Sequence, residues 1–301
     1  MRISEIAKLN GYEFCGKDVD IDSIRFAECA SESSIAIIRK EDCLERIKAR
    51  CILANISLFN TDKSIIYTSD PLELASIKIA SVLYEEVAQH YVCSSYCKKE
   101  DFYIGNNVTI GENTIIGPNV CIDDDVIIGN NCYIAPNSHI CYGTIIKDGT
   151  RIGDSCTIGA DSFCHYYEDG LQEFPGLGSV IIGERVHIGN KTIIQRGTFS
   201  DTVIGDRCKI GNLIDIGHDV TIGNDCKIVS QSGIASDVRI SNYVTIFGQA
   251  GVSNGVSIGE KAIVYAKSLV TKDINDYQCV SGMYARNHVE ELKTQAKLRN
   301  L

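Results

Sequence analysis

The sequence predicts a mainly β protein built as a parallel β-helix, and three observations carry that prediction. Ile104, Ile110, Ile116, Ile122, Ile128, Ile134, Ile140, Ile146, Ile152 and Ile158 recur every six residues without a slip. The beat returns at Ile182, Ile188 and Ile194, slips across Ser200 to Val203, and then holds from Ile204 to Val270. The fifth position of each hexad, counting the Ile as first, is almost uniformly small, as at Val108, Thr114, Cys132, Ser138, Cys156, Cys208, Cys226 and Ala250. A β-branched residue every six positions, followed by a turn residue, supplies one short strand and one corner, and three such hexads close a triangular coil. The 25 hexads make about eight coils. A tight corner leaves little room inside, which explains the small fifth residue.

The flanks do not share the beat. Residues 1–100 read as a small α/β domain, with helices over Ile3–Leu9 and Pro71–Tyr91. The second helix opens on the start signal Ser69-Asp70-Pro71 and carries Leu72, Leu74, Ile77, Ile79, Ala80, Leu83 and Val87 at helical spacing. Short buried strands are expected over Ile35–Ile38, Cys51–Ile56 and Ser64–Tyr67. The β-helix is expected over 101–275, and 276–301 reads as a tail ending in a helix over Asn287–Leu301. The N-terminal domain and this terminal helix are the natural caps for the open ends of the coil stack.

Composition sets the excluded classes. A net charge of −10 without a basic stripe argues against nucleic-acid binding. No apolar run approaches 18 residues, and the start MRISEIAKLN carries no charged-then-apolar signal segment, so no transmembrane segment is expected. Of 14 cysteines, Cys132, Cys156, Cys208 and Cys226 fall on the small inward position, where a thiol acts as a compact hydrophobe. Cys93 and Cys97 form the only close pair, with no second pair at a matching ligand distance, so neither a metal nor a disulfide framework is expected. These features point to a reducing cytoplasm.

A solenoid is a scaffold, so the chemistry belongs where the pattern breaks or carries a reactive side chain. The break from Gly159 to Ser179 is too long for a corner and reads as an extruded loop. Its aromatic residues Phe163, Tyr166, Tyr167 and Phe174 either wall a ligand channel or pin the loop to the helix, and Phe163 and His165 are candidate substrate-binding residues. His218 sits at the third hexad position, on the corner after Ile216, with Asp215 and Asp219 nearby in the chain. Register places Ser236 one coil forward and Arg196 one coil back on the same edge. An imidazole beside a carboxylate that fixes its tautomer suits a general base.

The hexapeptide beat, the loop opening GADSF with a Pro-x-x-Gly turn, VIIGERVHIG, IQRG and IDIGHD occur in one order. In this the chain resembles the UDP-3-O-(3-hydroxyacyl)glucosamine N-acyltransferases of lipid A synthesis, over nearly its whole length and most strongly from Gly159 to Gly223. The resemblance implies a left-handed β-helix, a homotrimer and sites in clefts between subunits. It implies His218 as the base for the sugar amine and the backbone N–H of Ser236 as the oxyanion donor; Asp219 is a candidate catalytic residue from its place next to His218, not from the resemblance. Asn212 and Arg196 match motif positions beside that site and are candidate substrate-binding residues, with orientation or structural roles. The implied reaction takes an acyl group from a phosphopantetheine thioester, on acyl carrier protein or coenzyme A, to a nucleotide-linked amino sugar, with no permanently bound cofactor. Lys293, Lys297 and Arg299 on the terminal helix offer a basic surface to an acidic carrier protein.

Departures from the family pattern are specific. The N-terminal stretch SIAIIRKEDCLERIKARC lacks the Phe and Tyr that stack on uracil, the second histidine is replaced by Val252-Ser253-Asn254-Gly255-Val256, and His-Asn becomes His218-Asp219. The Gly-x-Pro turn becomes Gly282-Met283-Tyr284. A different UDP- or dTDP-amino sugar of surface polysaccharide synthesis is therefore the alternative acceptor. Two other classes use such a helix: a non-catalytic scaffold, and a γ-type carbonic anhydrase with three zinc-binding histidines. The second is disfavoured because His139, His165, His187 and His218 lie at least 22 residues apart.

Overall fold

A computed structural model describes residues 1–27, 29–38, 44, 46–55, 61–83, 96–99, 101–167, 170–174, 176–282, 289, 293–294 and 296–297. Near the start, α1 (Ile3–Leu9) and α2 (Leu72–Leu83) accompany a five-stranded sheet of β1 (Glu13–Cys15), β2 (Ser23–Phe26), β3 (Ser34–Ile37), β4 (Cys51–Ala54) and β5 (Ser64–Tyr67). The sheet order is β1-β5-β4-β3-β2, antiparallel at β1–β5 and parallel elsewhere. β3 and β4 are buried throughout, so they read as continuous apolar runs, whereas β1 and β2 are half-exposed edges whose weaker patterning left them unread. Ile56, residues 84–91 of the expected second helix and Cys93 lie outside the described residues.

From Tyr103 onward the chain winds into three parallel sheets, one per face of a triangular helix. The first face runs Tyr103–Ile104, Cys121–Ile122, His139–Ile140, Thr157–Ala160, Ile193–Gln195, Asp215–Ile216, Gly233–Ile234, Gly251–Val252 and Leu269–Val270, with Cys97–Lys98 added antiparallel at its start. Those nine rungs, with eight up to Val270 on each of the other two faces, account for the 25 hexads. The beat also outlasts Val270, since Ile274 bridges Ile258 and Cys279–Val280 pairs with Ile263–Val264. A four-residue step in place of six at Ile274 hides these rungs from a strict hexad search. Of the expected terminal helix, Val289, Lys293, Thr294, Ala296 and Lys297 are helical, and the other residues of 287–301 lie outside the described set.

The hexad explains its own hydrogen bonding. At Ile104 the next residue's N–H reaches the Ile122 carbonyl at 2.8 Å, Thr109 N–H reaches Val126 O at 3.0 Å, and Asp125 N–H reaches back to Asn106 O at 2.9 Å. Each hexad thus ties its backbone to both neighbouring coils, as a buried parallel sheet requires. The fourth position is left-handed, with φ of 53° to 59° at Asn107, Asn113, Asn119, Asp125 and Asn131, and Asn or Asp bears that conformation most readily. The small fifth residue does more than fit. Thr114, Ser138, Thr150 and Thr192 hydroxyls, and the thiols of Cys132, Cys156, Cys208 and Cys226, donate to the carbonyl of the next coil's corner. Burial pushes the Cys132 and Cys156 thiols up, so they stay protonated as that role demands.

The stacked first-position residues form one continuous core, in which Ile122, Ile134, Ile152, Ile188 and Ile216 are fully buried. Trimming one of them to alanine leaves a cavity between rigid coils. Ile188→Ala is therefore expected to lower unfolding stability by about 2–5 kcal/mol, read as a fall in the urea midpoint. A loss under about 0.5 kcal/mol would mean that the coils relax around the gap.

Candidate active site

Two consecutive coils break the same edge of the helix. After Ile158 the chain leaves as an antiparallel hairpin, His165–Tyr167 against Leu171–Glu173, before rejoining at Val180. One coil later the corner between Gln195 and Thr202 is extended through Gly197-Thr198-Phe199-Ser200. The end of the first insertion lies along the second, with Leu177 N–H on Thr198 O and Gly178 N–H on Gly197 O, each at 2.9 Å. Only glycine fits there, because a Cβ at Gly178 or Gly197 would collide with the Ser200 carbonyl. The next corner on this edge is Gly217-His218-Asp219.

Asp219 occupies the left-handed corner position, φ 58°, and its side chain turns under the extended corner. Its carboxylate accepts the N–H groups of Thr198 and Ser200 at 3.0 Å, the hydroxyls of both residues, and His218 Nδ1 at 2.8 Å. Burial alone would raise the Asp219 pKa, but the hydrogen bonds from His218, Thr198 and Ser200 outweigh it and hold the carboxyl below its usual range. A carboxylate only accepts, so Nδ1 carries the proton and Nε2 presents a lone pair. The imidazole is 12% exposed, so Nε2 is reachable from a cleft but the ring is clamped.

His218 stands where two clefts meet. One is a groove of about 390 Å³ along the first face, lined by Phe163, Gln195, Asp215, Gly233, Ala235, Ser236, Gly251, Ser253 and Leu269. Its floor is open because the outward residues of two successive rungs are glycines: a Cβ at Gly233 would meet nothing within 4 Å. The other, about 730 Å³, lies against the N-terminal domain and is lined by Phe26, Ile37, Leu72, Leu74, His165, Tyr167, Thr198, Phe199, Asp237, Asn254 and Gly255. At their junction the Ser236 N–H has no acceptor among the described residues, while Asn254 Nδ2 donates to Ser236 O at 2.9 Å and Oγ at 2.7 Å. Ser236 itself is thus held from one coil beyond.

The remaining candidates divide. Phe163 is 79% exposed in the groove, its N–H bound to Gln195 Oε1 at 3.1 Å, and its ring meets His165 edge-on at 4.6 Å between centroids. Phe174 instead pins the loop, stacked on Phe199 at 5.1 Å in the core shared with the N-terminal domain. Walling and pinning thus belong to different aromatics of one loop; the Tyr166 side chain lies outside the described set. Arg196 does not face either cleft. It is buried, donates from Nε to Gly178 O at 2.9 Å and lies 5.6 Å over the Tyr142 ring, a strut for the insertion. Asn212 lies on another corner, where its Oδ1 accepts Asn190 N–H at 2.8 Å in the ladder that links third-position residues of successive coils. Thr198, Ser200, Asp237 and Asn254 were not foreseen. The phase slip at Ser200 signalled the first two, because extra residues in a corner must find new acceptors.

Comparison with known proteins bears on the family and the fold. A family model for the GMPPB C-terminal domain matches residues 98–199, and one for the bacterial transferase hexapeptide (six repeats) matches 201–236. The chain is 41% identical over 230 residues, 73% of each chain, to a UDP-3-O-acylglucosamine N-acyltransferase of Campylobacter concisus. The chain belongs to the UDP-3-O-acylglucosamine N-acyltransferase family. A member from Verminephrobacter eiseniae is 52% identical over 64 residues, which span 21% of this chain and 20% of that one. Among solved structures, a UDP-N-acetylglucosamine acyltransferase from Campylobacter jejuni matches at a TM-score of 0.56 with 21% identity, over 66% of this chain and 82% of its own. One from Bacteroides fragilis matches at 0.56 with 25% identity, over 66% and 78%. These two likenesses bear on the fold. Among the described residues no helix is long and apolar enough to cross a membrane.

Proposed function

We propose that this family member transfers an acyl group from a phosphopantetheine thioester to the amine of a nucleotide-linked amino sugar, with His218 as the base. The observation that carries the reading is the clamped imidazole, Nδ1 held by Asp219 and Nε2 open where two clefts meet. The neutral amine attacks the thioester carbonyl and Nε2 takes the ammonium proton. The Ser236 N–H receives the developing oxyanion, and the proton passes to the departing thiolate, leaving amide and free thiol. An imidazolium forms transiently beside a carboxylate that is already ionised, so it is stabilised without any rearrangement.

The groove floored by Gly233 and Gly251 is assigned to the thioester arm, from acyl carrier protein or coenzyme A. The cleft at the N-terminal domain is assigned to the sugar nucleotide. The aromatic residue missing from 34–51 is replaced there by Phe26, which pairs with Ile37 from the adjoining strand and lines the cleft. The homotrimer is part of the proposal. Outward Ile127, Ile145, Ile181 and Val203 stack in register on the second face, a stripe that another copy would cover.

The test is thiol release from acetyl-CoA and 3-hydroxyacyl carrier protein, each offered with UDP-3-O-acylglucosamine and with other UDP- and dTDP-amino sugars. Turnover of the acylated glucosamine supports the lipid A acceptor, and turnover with another sugar alone moves the chain to surface polysaccharide synthesis. No turnover with any pair supports a scaffold. Filling the groove supplies an independent check. Gly233→Leu adds a side chain into open space, so the protein folds while kcat/KM for the thioester donor falls at least about 10-fold, a loss of about 1.4 kcal/mol of transition-state binding. Unchanged kinetics would place the thioester elsewhere.

A further inference from the structure

On the first face, well away from His218, lies a group of side chains that the proposed reaction does not use. We propose that Asp123, His139 and Cys141 form a site for a zinc-class divalent metal ion, through one carboxylate, one imidazole and one thiolate. One ligand atom from each lies within 4.8 Å of the others. Around a tetrahedral ion with bonds of 2.0–2.3 Å such atoms stand roughly 3.3–3.8 Å apart, so only small side-chain turns are needed. His139 Nε2 and Asp123 Oδ1 are now 2.8 Å apart, and an entering ion would separate them by about half an ångström.

The hexad register brings these side chains together. Asp123 and Cys141 occupy the second hexad position, which is glycine at Gly105 one coil before and at Gly159 one coil after, on the same edge. At Gly105 a Cβ would collide with Asp124. Two successive coils place Asp123 and Cys141 at this position, and both side chains can ligate a metal. His139, the outward residue of the same rung as Cys141, projects between them. Asp123 is 5% exposed and its Oδ1 also accepts the Tyr96 hydroxyl at 2.5 Å, the outer-shell bond that orients a ligating carboxylate. The fourth position is left for water. Ligand spacing in the sequence conceals the site, because Cys141 and Asp123 are 18 residues apart and adjacent in space.

From His139 to Asp215 is three rungs, about 14 Å at 4.8 Å per rung. The ion would therefore stand apart from the base, clipping the early coils together. Cobalt(II) titration of the metal-free, reduced full chain tests this. One equivalent should give the ligand-field bands of a tetrahedral ion with a thiolate-to-cobalt charge-transfer band, all displaced by one equivalent of zinc. The bands should vanish in Cys141→Ser and in His139→Gln, each checked for folding by circular dichroism, and persist in Cys121→Ser, which removes the neighbouring thiol of the same column. Zinc should raise the Tm of the wild type and leave that of Cys141→Ser unchanged. A wild type without charge-transfer absorption, or bands that survive Cys141→Ser, would overturn the site and leave Asp123–His139 as an ion pair.

Discussion

Replacing His218 by alanine lowers kcat/KM for acyl transfer by about 10²–10⁴-fold, the usual contribution of a positioned base, while leaving the thermal midpoint within a few degrees of wild type. The two effects separate because the imidazole makes one side-chain hydrogen bond, to Asp219, and that carboxylate keeps four further donors from Thr198 and Ser200. The rate loss should be greatest below the acceptor amine's pKa, where the amine arrives protonated. Steady-state kinetics with circular dichroism on the same preparation check both halves. A variant as active as wild type would remove the base from this site and favour the scaffold.

Asp219→Asn has the larger effect on the molecule as a whole. Asparagine keeps the left-handed corner, so backbone strain is not introduced. It offers one acceptor oxygen to five converging donors and turns an NH₂ group toward them. Losing one partner of such a buried network costs about 3–5 kcal/mol. Activity should also fall where the amide turns its N–H to Nδ1, which selects the tautomer in which Nε2 holds the proton; an amide oxygen facing Nδ1, as in the His-Asn pair of the family pattern, keeps the base. The pH dependence follows from the depressed carboxyl. Its folded pKa lies below the ordinary value of 3.8, so its stabilisation is complete above that value and disappears as pH falls through the folded pKa. Wild-type Tm should therefore drop as pH falls below about 4, and Asp219→Asn should lack that component of the drop while being less stable at pH 7. Parallel acid profiles for the two proteins would contradict the assignment.

The repeat made most of the fold legible, because burial of Ile122, Ile152, Ile188 and Ile216 has one period and no competing one. The candidate site was legible only in part. His218, Ser236 and the loop at Gly159 follow from register and from its breaks, since hexads index positions along an edge. Thr198 and Ser200 sit inside a phase slip, where register stops naming neighbours, and their contacts to Asp219 depend on how the extra residues fold back. Register puts Arg196 one coil back from His218 and the motif puts Asn212 six residues before it, but neither says where a side chain turns: Arg196 turns inward to Gly178, as a strut, and Asn212 belongs to a different corner. The pair β1 and β2 escaped notice because three or four half-exposed residues carry no usable period.

The most direct test of the central claim is the bond that forms. Wild-type protein, incubated with an acyl thioester and the amino sugar nucleotide that it turns over in the thiol-release panel, should yield an acylated product of the expected mass that resists neutral hydroxylamine, as an amide does. His218→Ala should yield little of it in the same time. A hydroxylamine-labile ester, or equal amide from the His218→Ala protein, would contradict base-assisted N-acyl transfer at this site.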